Sequence, residues 1–265
     1  MKKLLAVLFF AVPFLVGGLA HGATVEEIMK KSQGAYYYPG SDYKARITMR
    51  LVARSGQERM REMAFLRKNY GVQGGEQKYF IYFYQPADVK DTTFMVYKYP
   101  NKDSDRWLFV PSINMVRRIA AQDKRSSFVG SDFTYEDVSG RNINDDDHVL
   151  VKEERLGSSD TYVVKSTPKA QDVDYGYKLS WIDKKTYLPM KEEYYDKRGE
   201  LYKVFTADAV KDIKGFPTVV KRTMKNLQSG HWTEVVTSNV DYNIGLEDSL
   251  FSERFLKAPP KKRLE

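Results

Sequence analysis

From Tyr43 to Arg54 the sequence alternates: all six odd positions (Tyr43, Ala45, Ile47, Met49, Leu51, Ala53) are apolar, and five of the six even positions are polar. Successive side chains of an extended chain point to opposite faces, so this period of two predicts a strand with one buried face and one wet face. Ser55-Gly56 turns the chain, and Arg59 to Lys68 reads as the returning strand. Tyr79 to Tyr84 is an unbroken apolar and aromatic run, which demands cover on both faces. Further strands are expected over residues 93–99, 106–110, 149–155, 161–166, 178–182, 190–195, 201–209, 219–225 and 231–242. Turn signals such as Gly157-Ser158-Ser159-Asp160, Lys197-Arg198-Gly199 and Ser229-Gly230 separate many of them. In the last strand Trp232, Val236, Val240 and Tyr242 are expected to share the apolar face, interrupted by Glu234 and Ser238.

The sum is a mainly β chain built on one large antiparallel sheet of roughly ten or more strands. Sheets of that size curl, and a curled sheet has a concave side that something must fill. Few helices are on offer. Thr24 and Glu27 form a capping box ahead of Val25, Ile28 and Met29, and Gly34 is the expected stop. A short turn is expected near Ser131 to Val138, with Gly130 allowing a tight backbone and Ser131 or Asp132 as its cap. A C-terminal helix is expected where Asp248 caps Leu250, Phe251, Phe255 and Leu256, and residues 257–265 read as a disordered basic tail. Residues 23–256 are then a single β domain.

The N-terminus points to export. Met1-Lys2-Lys3 is a basic start, Leu4 to Leu19 is apolar throughout, and small residues follow, which is the layout of a secretory signal over residues 1–22. Its sixteen apolar residues span ~24 Å as a helix, short of the ~30 Å hydrocarbon core, and Pro13 and Gly17-Gly18 weaken it further. Cleavage is expected after Gly22, with Ala20 as the rival position. The expected compartment is the periplasm.

No cysteine occurs among the 265 residues, which removes disulfides, thiolate metal sites, thiol nucleophiles and the acceptor cysteine of a lipid anchor. The formal charge of +8 suits anionic lipid headgroups or simple dispersal in solution. Nucleic acid is not an expected partner, because the basic residues are scattered and an exported protein does not meet it. No hydrolase elbow, zinc-protease helix or phosphate loop occurs. Asn142, Asn144 and Asp146 followed by Glu153 mimic a calcium loop loosely, but Asp147 stands where that loop needs glycine. No cofactor, metal or catalytic residue is therefore assigned.

The least ordinary segment runs from Asp105-Arg106-Trp107-Leu108-Phe109-Val110-Pro111 through Arg117-Arg118 and a basic loop to Ser127-Phe128-Val129-Gly130-Ser131-Asp132-Phe133-Thr134-Tyr135-Glu136-Asp137. Together with Leu250-Phe251-Ser252-Glu253-Arg254-Phe255-Leu256 near the C-terminus, it resembles the outer-membrane lipoprotein-sorting-like proteins. These are close in fold to the carriers LolA and LolB and are often associated with exporters of the RND superfamily. The resemblance implies a half-open barrel whose apolar concave face is closed by the N-terminal helix and the segment around 111–138. It implies as cargo a lipid or acylated protein, with an RND-superfamily exporter as partner and transient contact with the membrane surface. The residues expected to form the cavity and its lid are Tyr79, Ile81, Phe83, Met95, Trp107, Phe109, Met115, Arg117, Arg118, Phe128, Phe133 and Tyr135, and methionines such as Met49, Met60 and Met63 are expected to adapt the lining. Arg117 or Arg118 either holds the lid or headgroup, or pairs on the surface with Asp132, Glu136 or Asp137. The alternative to a carrier is an envelope module that senses lipid or docks to a membrane protein without moving cargo.

Overall fold

Two runs of hairpins meet edge to edge in a computed structural model that describes residues 22–71 and 73–264. The expected signal segment, up to residue 21, lies outside the described residues. The first run comprises β1 (Asp42–Val52), β2 (Glu58–Tyr70), β3 (Glu76–Gln85), β4 (Thr93–Lys98), β5 (Asp105–Val110) and β6 (Met115–Arg118). The second comprises β7 (Asp146–Leu156), β8 (Ser159–Pro168), β9 (Tyr177–Asp183), β10 (Pro189–Tyr195), β11 (Leu201–Ile213), β12 (Phe216–Asn226) and β13 (Trp232–Tyr242). Pairing of β1 with β13 joins them into one 13-stranded antiparallel sheet, in the order β6-β5-β4-β3-β2-β1-β13-β12-β11-β10-β9-β8-β7. The sheet curves without closing into a barrel. The short edge strand β6 escapes the sequence signals because its burial is slight, with Met115 52% exposed.

This order has a topological consequence. β6 and β7 are consecutive in the chain yet form opposite edges of the sheet, so residues 119–145 must travel from one edge to the other. They do so over the concave face, where Ile119, Phe128, Phe133 and Tyr135 are buried against inward residues of β1 to β4 and β10 to β13. Within this crossing segment, α2 (Tyr135–Ser139) carries a complete capping box between Thr134 and Asp137. Thr134, not Ser131 or Asp132, is therefore the cap. Asp132 is committed elsewhere, as described below. Val129 and Gly130 both take positive φ (46° and 82°), giving the tight turn expected at Gly130.

The N-terminal helix α1 (Val25–Tyr37) starts at the predicted Thr24–Glu27 box, with Thr24 N donating to Glu27 Oε2 at 2.9 Å. It runs past Gly34 to Tyr37. Its last turn is held from above: Gly140, at φ 79°, brings the backbone so close that a Cβ there would lie 2.7 Å from Tyr37 Cζ.

The convex face has its own cover. A turn at Asp248–Leu250, α3 (Glu253–Lys257) and α4 (Lys261–Leu264) bring Leu246, Leu250, Phe251, Leu256 and Leu264 against Ala64, Leu66, Phe80, Tyr82, Met95 and Phe109. The apolar run of β3 is thus covered twice, as expected: Tyr79, Ile81 and Phe83 face inward, Phe80 and Tyr82 outward. The C-terminal residues correct the expectation of a disordered tail. Leu264 is 2% exposed, and Lys261 and Arg263 pair with Asp91 (2.6 Å) and Glu247 (2.7 Å). The basic composition there marks the rim of a docked turn, which only the waiting apolar surface reveals.

β13 brings a second correction. Its buried face carries Thr233, Val235 and Thr237, while Val236 is 38% exposed. The register against β1 slips between Lys44 and Arg46, where Asn239 takes φ 48°, so the strand changes face before Tyr242, which is buried. A strict period of two cannot anticipate such a bulge.

Candidate functional site

The space left between the concave face, α1 and the crossing segment is a cavity of about 250 Å³. Its walls follow from register. Across β3, β2, β1 and β13 one row pairs Tyr79 with Arg67, Arg67 with Tyr43, and Tyr43 with Tyr242. Two residues further along the strands, Ile81 pairs with Phe65 and Phe65 with Ala45. The next row is Phe83, Met63, Ile47 and Thr237. The cavity therefore grades from a row of hydroxyls and one guanidinium into apolar rows, to which β11, β12 and β13 add Phe205, Met224 and Val235.

Most charges lining the cavity are balanced. Glu192 accepts from Lys178 Nζ at 2.6 Å, Ser180 Oγ at 3.0 Å and the Tyr194 hydroxyl at 2.7 Å. Burial pushes the Lys178 ammonium down, but Glu192 outweighs it and the group titrates above its ordinary value. Lys203 faces Asp137 at 3.6 Å, and Arg141 joins Glu136 and Asp146 at 3.4 and 2.9 Å. Arg67 is different. It is 5% exposed, donates to the Pro39 carbonyl, and leaves its Nε without a hydrogen-bond partner among the described residues. Burial lowers its pKa, and the neighbouring tyrosines Tyr79, Tyr242 and Tyr43 restore it only in part.

The crossing segment is fastened at several points. Phe128 packs its ring among Phe83, Phe94 and Tyr135 at centroid distances of 6.0, 5.4 and 5.5 Å. Asp132 Oδ2 lies 2.6 Å from His231 Nδ1 and accepts from Thr233 Oγ1 at 2.7 Å. Lys98 Nζ donates to the Ser139 carbonyl at 2.7 Å.

The expected cavity and lid residues divide three ways. Tyr79, Ile81, Phe128 and Phe133 line the cavity, while Phe83 and Tyr135 lie in the apolar cluster around it. Met95 and Phe109 face the convex side, where Trp107 also packs, edge-on to Tyr97 at 5.1 Å. The strand alternation that turns Phe94 and Val96 inward turns Met95 outward. Met115, Arg117 and Arg118 stand exposed on the edge strand β6. The arginines pair with Asp123 (3.6 Å) and Asp105, not with Asp132, Glu136 or Asp137. Of the methionines, Met49 and Met63 line the cavity and Met60 is exposed. Arg67, Tyr43, Tyr242 and Arg222 line the site without having been singled out in the sequence, because only cross-strand register brings them together.

Comparison with known proteins agrees with this architecture. A family model described as "Uncharacterized protein" matches residues 75–258. No curated protein matches the sequence. Among solved structures, an outer membrane lipoprotein-sorting protein domain from Vibrio parahaemolyticus is 30% identical, with a TM-score of 0.79 over 87% of this chain and 97% of that one. A DUF1329 family protein from Desulfovibrio piger is 28% identical, with a TM-score of 0.79 over 86% and 95%. A LolA superfamily protein from Nitrosomonas europaea shares the fold at 20% identity, with a TM-score of 0.68 over 88% and 100%. With a sheet, cavity and crossing segment of this kind, the chain belongs to the DUF1329 family, whose fold is that of the outer-membrane lipoprotein-sorting proteins of the LolA superfamily.

Proposed function

We propose that the protein is a periplasmic carrier that takes up an acylated molecule, lipid or lipoprotein, in its concave cavity and hands it between an inner-membrane exporter of the RND superfamily and the outer membrane. The observation that carries this reading is the graded cavity itself: apolar rows roofed by a segment that the topology leaves free of the strand ladder. The kinship to a lipoprotein-sorting domain supports it. Burial stabilises an acyl chain by ~0.8 kcal/mol per methylene, so a sixteen-carbon chain is disfavoured in water by more than ~10 kcal/mol and crosses an aqueous compartment only inside an apolar sheath. The cavity of about 250 Å³ falls just short of the ~300–1,000 Å³ usual for ligand sites, so loading requires the crossing segment to give way. The exporter partner and the periplasmic setting rest on the family resemblance and on the apolar stretch from Leu4 to Leu19.

Mass spectrometry of organic extracts from gently purified protein tests the reading. A defined lipid or acylated peptide in near-stoichiometric amount supports it; lipid-free protein that takes up no fluorescent lipid overturns it. The fastenings of the crossing segment favour a second reading, a lipid-sensing module that stays closed until a membrane partner docks. That reading requires a membrane protein to be captured by cross-linking in intact cells, and fails if none is.

A further inference from the structure

The charge imbalance at one end of the cavity calls for an occupant. Lys178, Lys203 and Arg141 all line the cavity with a carboxylate in reach. Arg67 and Arg222 line it with none among the described residues: the Arg67 guanidinium lies over the Tyr43 ring at 5.1 Å, and Arg222 lies over the Phe133 ring at 5.7 Å. Arg67 pairs with Tyr43 across β2 and β1, and Arg222 faces the same cavity from β12. A cation taken out of water without a counter-charge is costly, and a buried donor with no acceptor, such as Arg67 Nε, adds to that cost. Either cost is relieved by an anion in this corner of the cavity, for which a guanidinium offers forked donors matched to carboxylate or phosphate oxygens. Next to the corner are phenolic hydroxyls, of which that of Tyr242 shares a hydrogen bond with Thr218 Oγ1 at 2.9 Å. Away from it the strands offer the apolar rows of Phe65, Met63 and Ile47.

We infer that Arg67 and Arg222, with the tyrosine row beside them, form the headgroup subsite of the cavity, and that the ligand is an anionic amphiphile, an acyl chain ending in a carboxylate or a phosphate. This rests on the carrier reading above and sharpens it, because a cavity selecting only for apolar length would have no use for an unpaired buried guanidinium. It places polar recognition inside the cavity, far from the exposed Arg117 and Arg118.

The test is calorimetric titration of the full-length protein with three twelve-carbon probes, dodecanoate, dodecyl phosphate and dodecanol, and with inorganic phosphate and acetate. Both anionic chains are expected to bind at least tenfold more tightly than the alcohol, and the small anions to show no millimolar binding. Arg222→Met, at a half-buried position, is expected to cut that preference to under threefold while leaving dodecanol unchanged, and Arg222→Lys to keep part of it. Arg67→Met, read alongside a circular dichroism spectrum, is expected to act in the same direction. Equal binding of alcohol and anions, or a preference untouched by Arg222→Met, overturns the headgroup subsite and leaves the carrier standing. Inorganic phosphate binding as tightly as dodecyl phosphate overturns the amphiphile. If no chain binds, the alcohol included, carrier and subsite fall together.

Discussion

His231 Nδ1 and Asp132 Oδ2 lie 2.6 Å apart, 99 residues removed in sequence, and tie the crossing segment to the start of β13. Thr233 completes the clasp by donating to the same carboxylate and accepting from the Asp132 amide at 3.0 Å. Hydrogen bonds to a charged group contribute ~1.5–3 kcal/mol each, so Asp132→Ala should loosen this end of the segment by that order. Hydrogen exchange is expected to rise over residues 126–134 and not in β1 or β2. Uniform exchange would mean that the clasp is incidental.

Phe128 is the apolar counterpart of that clasp, 2% exposed in a cage of three aromatic rings. Phe128→Ala should cost ~3–5 kcal/mol in chemical denaturation, by lost transfer energy and the void left behind. The same change should speed uptake of a fluorescent amphiphile, since the void adjoins the cavity. Slower uptake would show that Phe128 shapes the site more than it blocks it.

Stability should depend on pH through Lys98. Burial pushes its ammonium from 10.5 down to about 7, and repulsion from Arg106 and Arg67 adds to the effect. The unfolded chain therefore holds a proton on Lys98 between pH 7 and 10.5 that the folded chain has released, and stability should rise with pH across that window. At ~1.4 kcal/mol per unit the full effect is on the order of a few kcal/mol. Buried Tyr43 and Tyr79, with raised pKa values, contribute the reverse slope above their ordinary value of 10.0. Denaturant titrations from pH 7 to 9.5 should show the rise, and Lys98→Met should flatten it; an equal slope in the variant would assign the effect elsewhere.

On the convex face Leu256 is fully buried, and Thr93 Oγ1 donates to its carbonyl at 2.7 Å. Leu256→Ala should lower stability by ~2–5 kcal/mol, read as a shift in the denaturation midpoint, with little change in amphiphile affinity. A large loss of affinity would show that the two faces of the sheet are coupled.

Arg117→Ala/Arg118→Ala is the contrasting case. Both side chains are more than half exposed and hold solvent-screened ion pairs, so the double variant should unfold within about 1 kcal/mol of the parent and load cargo as well. Lost loading would move headgroup recognition to the sheet edge.

The β character, most strand positions, the first helix with its Thr24–Glu27 cap and the two-sided burial of residues 79–84 are all readable along the chain. Each depends on near neighbours: alternation, capping and turn chemistry are properties of a few consecutive residues. Even the segment around Phe128 and Phe133 stands out locally, and both residues do line the cavity. What the chain does not spell out is which face of a strand meets which partner. Met95 and Phe109 look as inward as Phe128 until the alternation is anchored to a sheet with two covered sides. Leu264 looks like the end of a tail until the apolar groove it fills exists. Tyr43, Arg67 and Tyr242 are scattered over 200 positions, and the row they form appears only when β1 pairs with β2 on one side and β13 on the other. Pairing between distant strands sets such a row, and no local period encodes it.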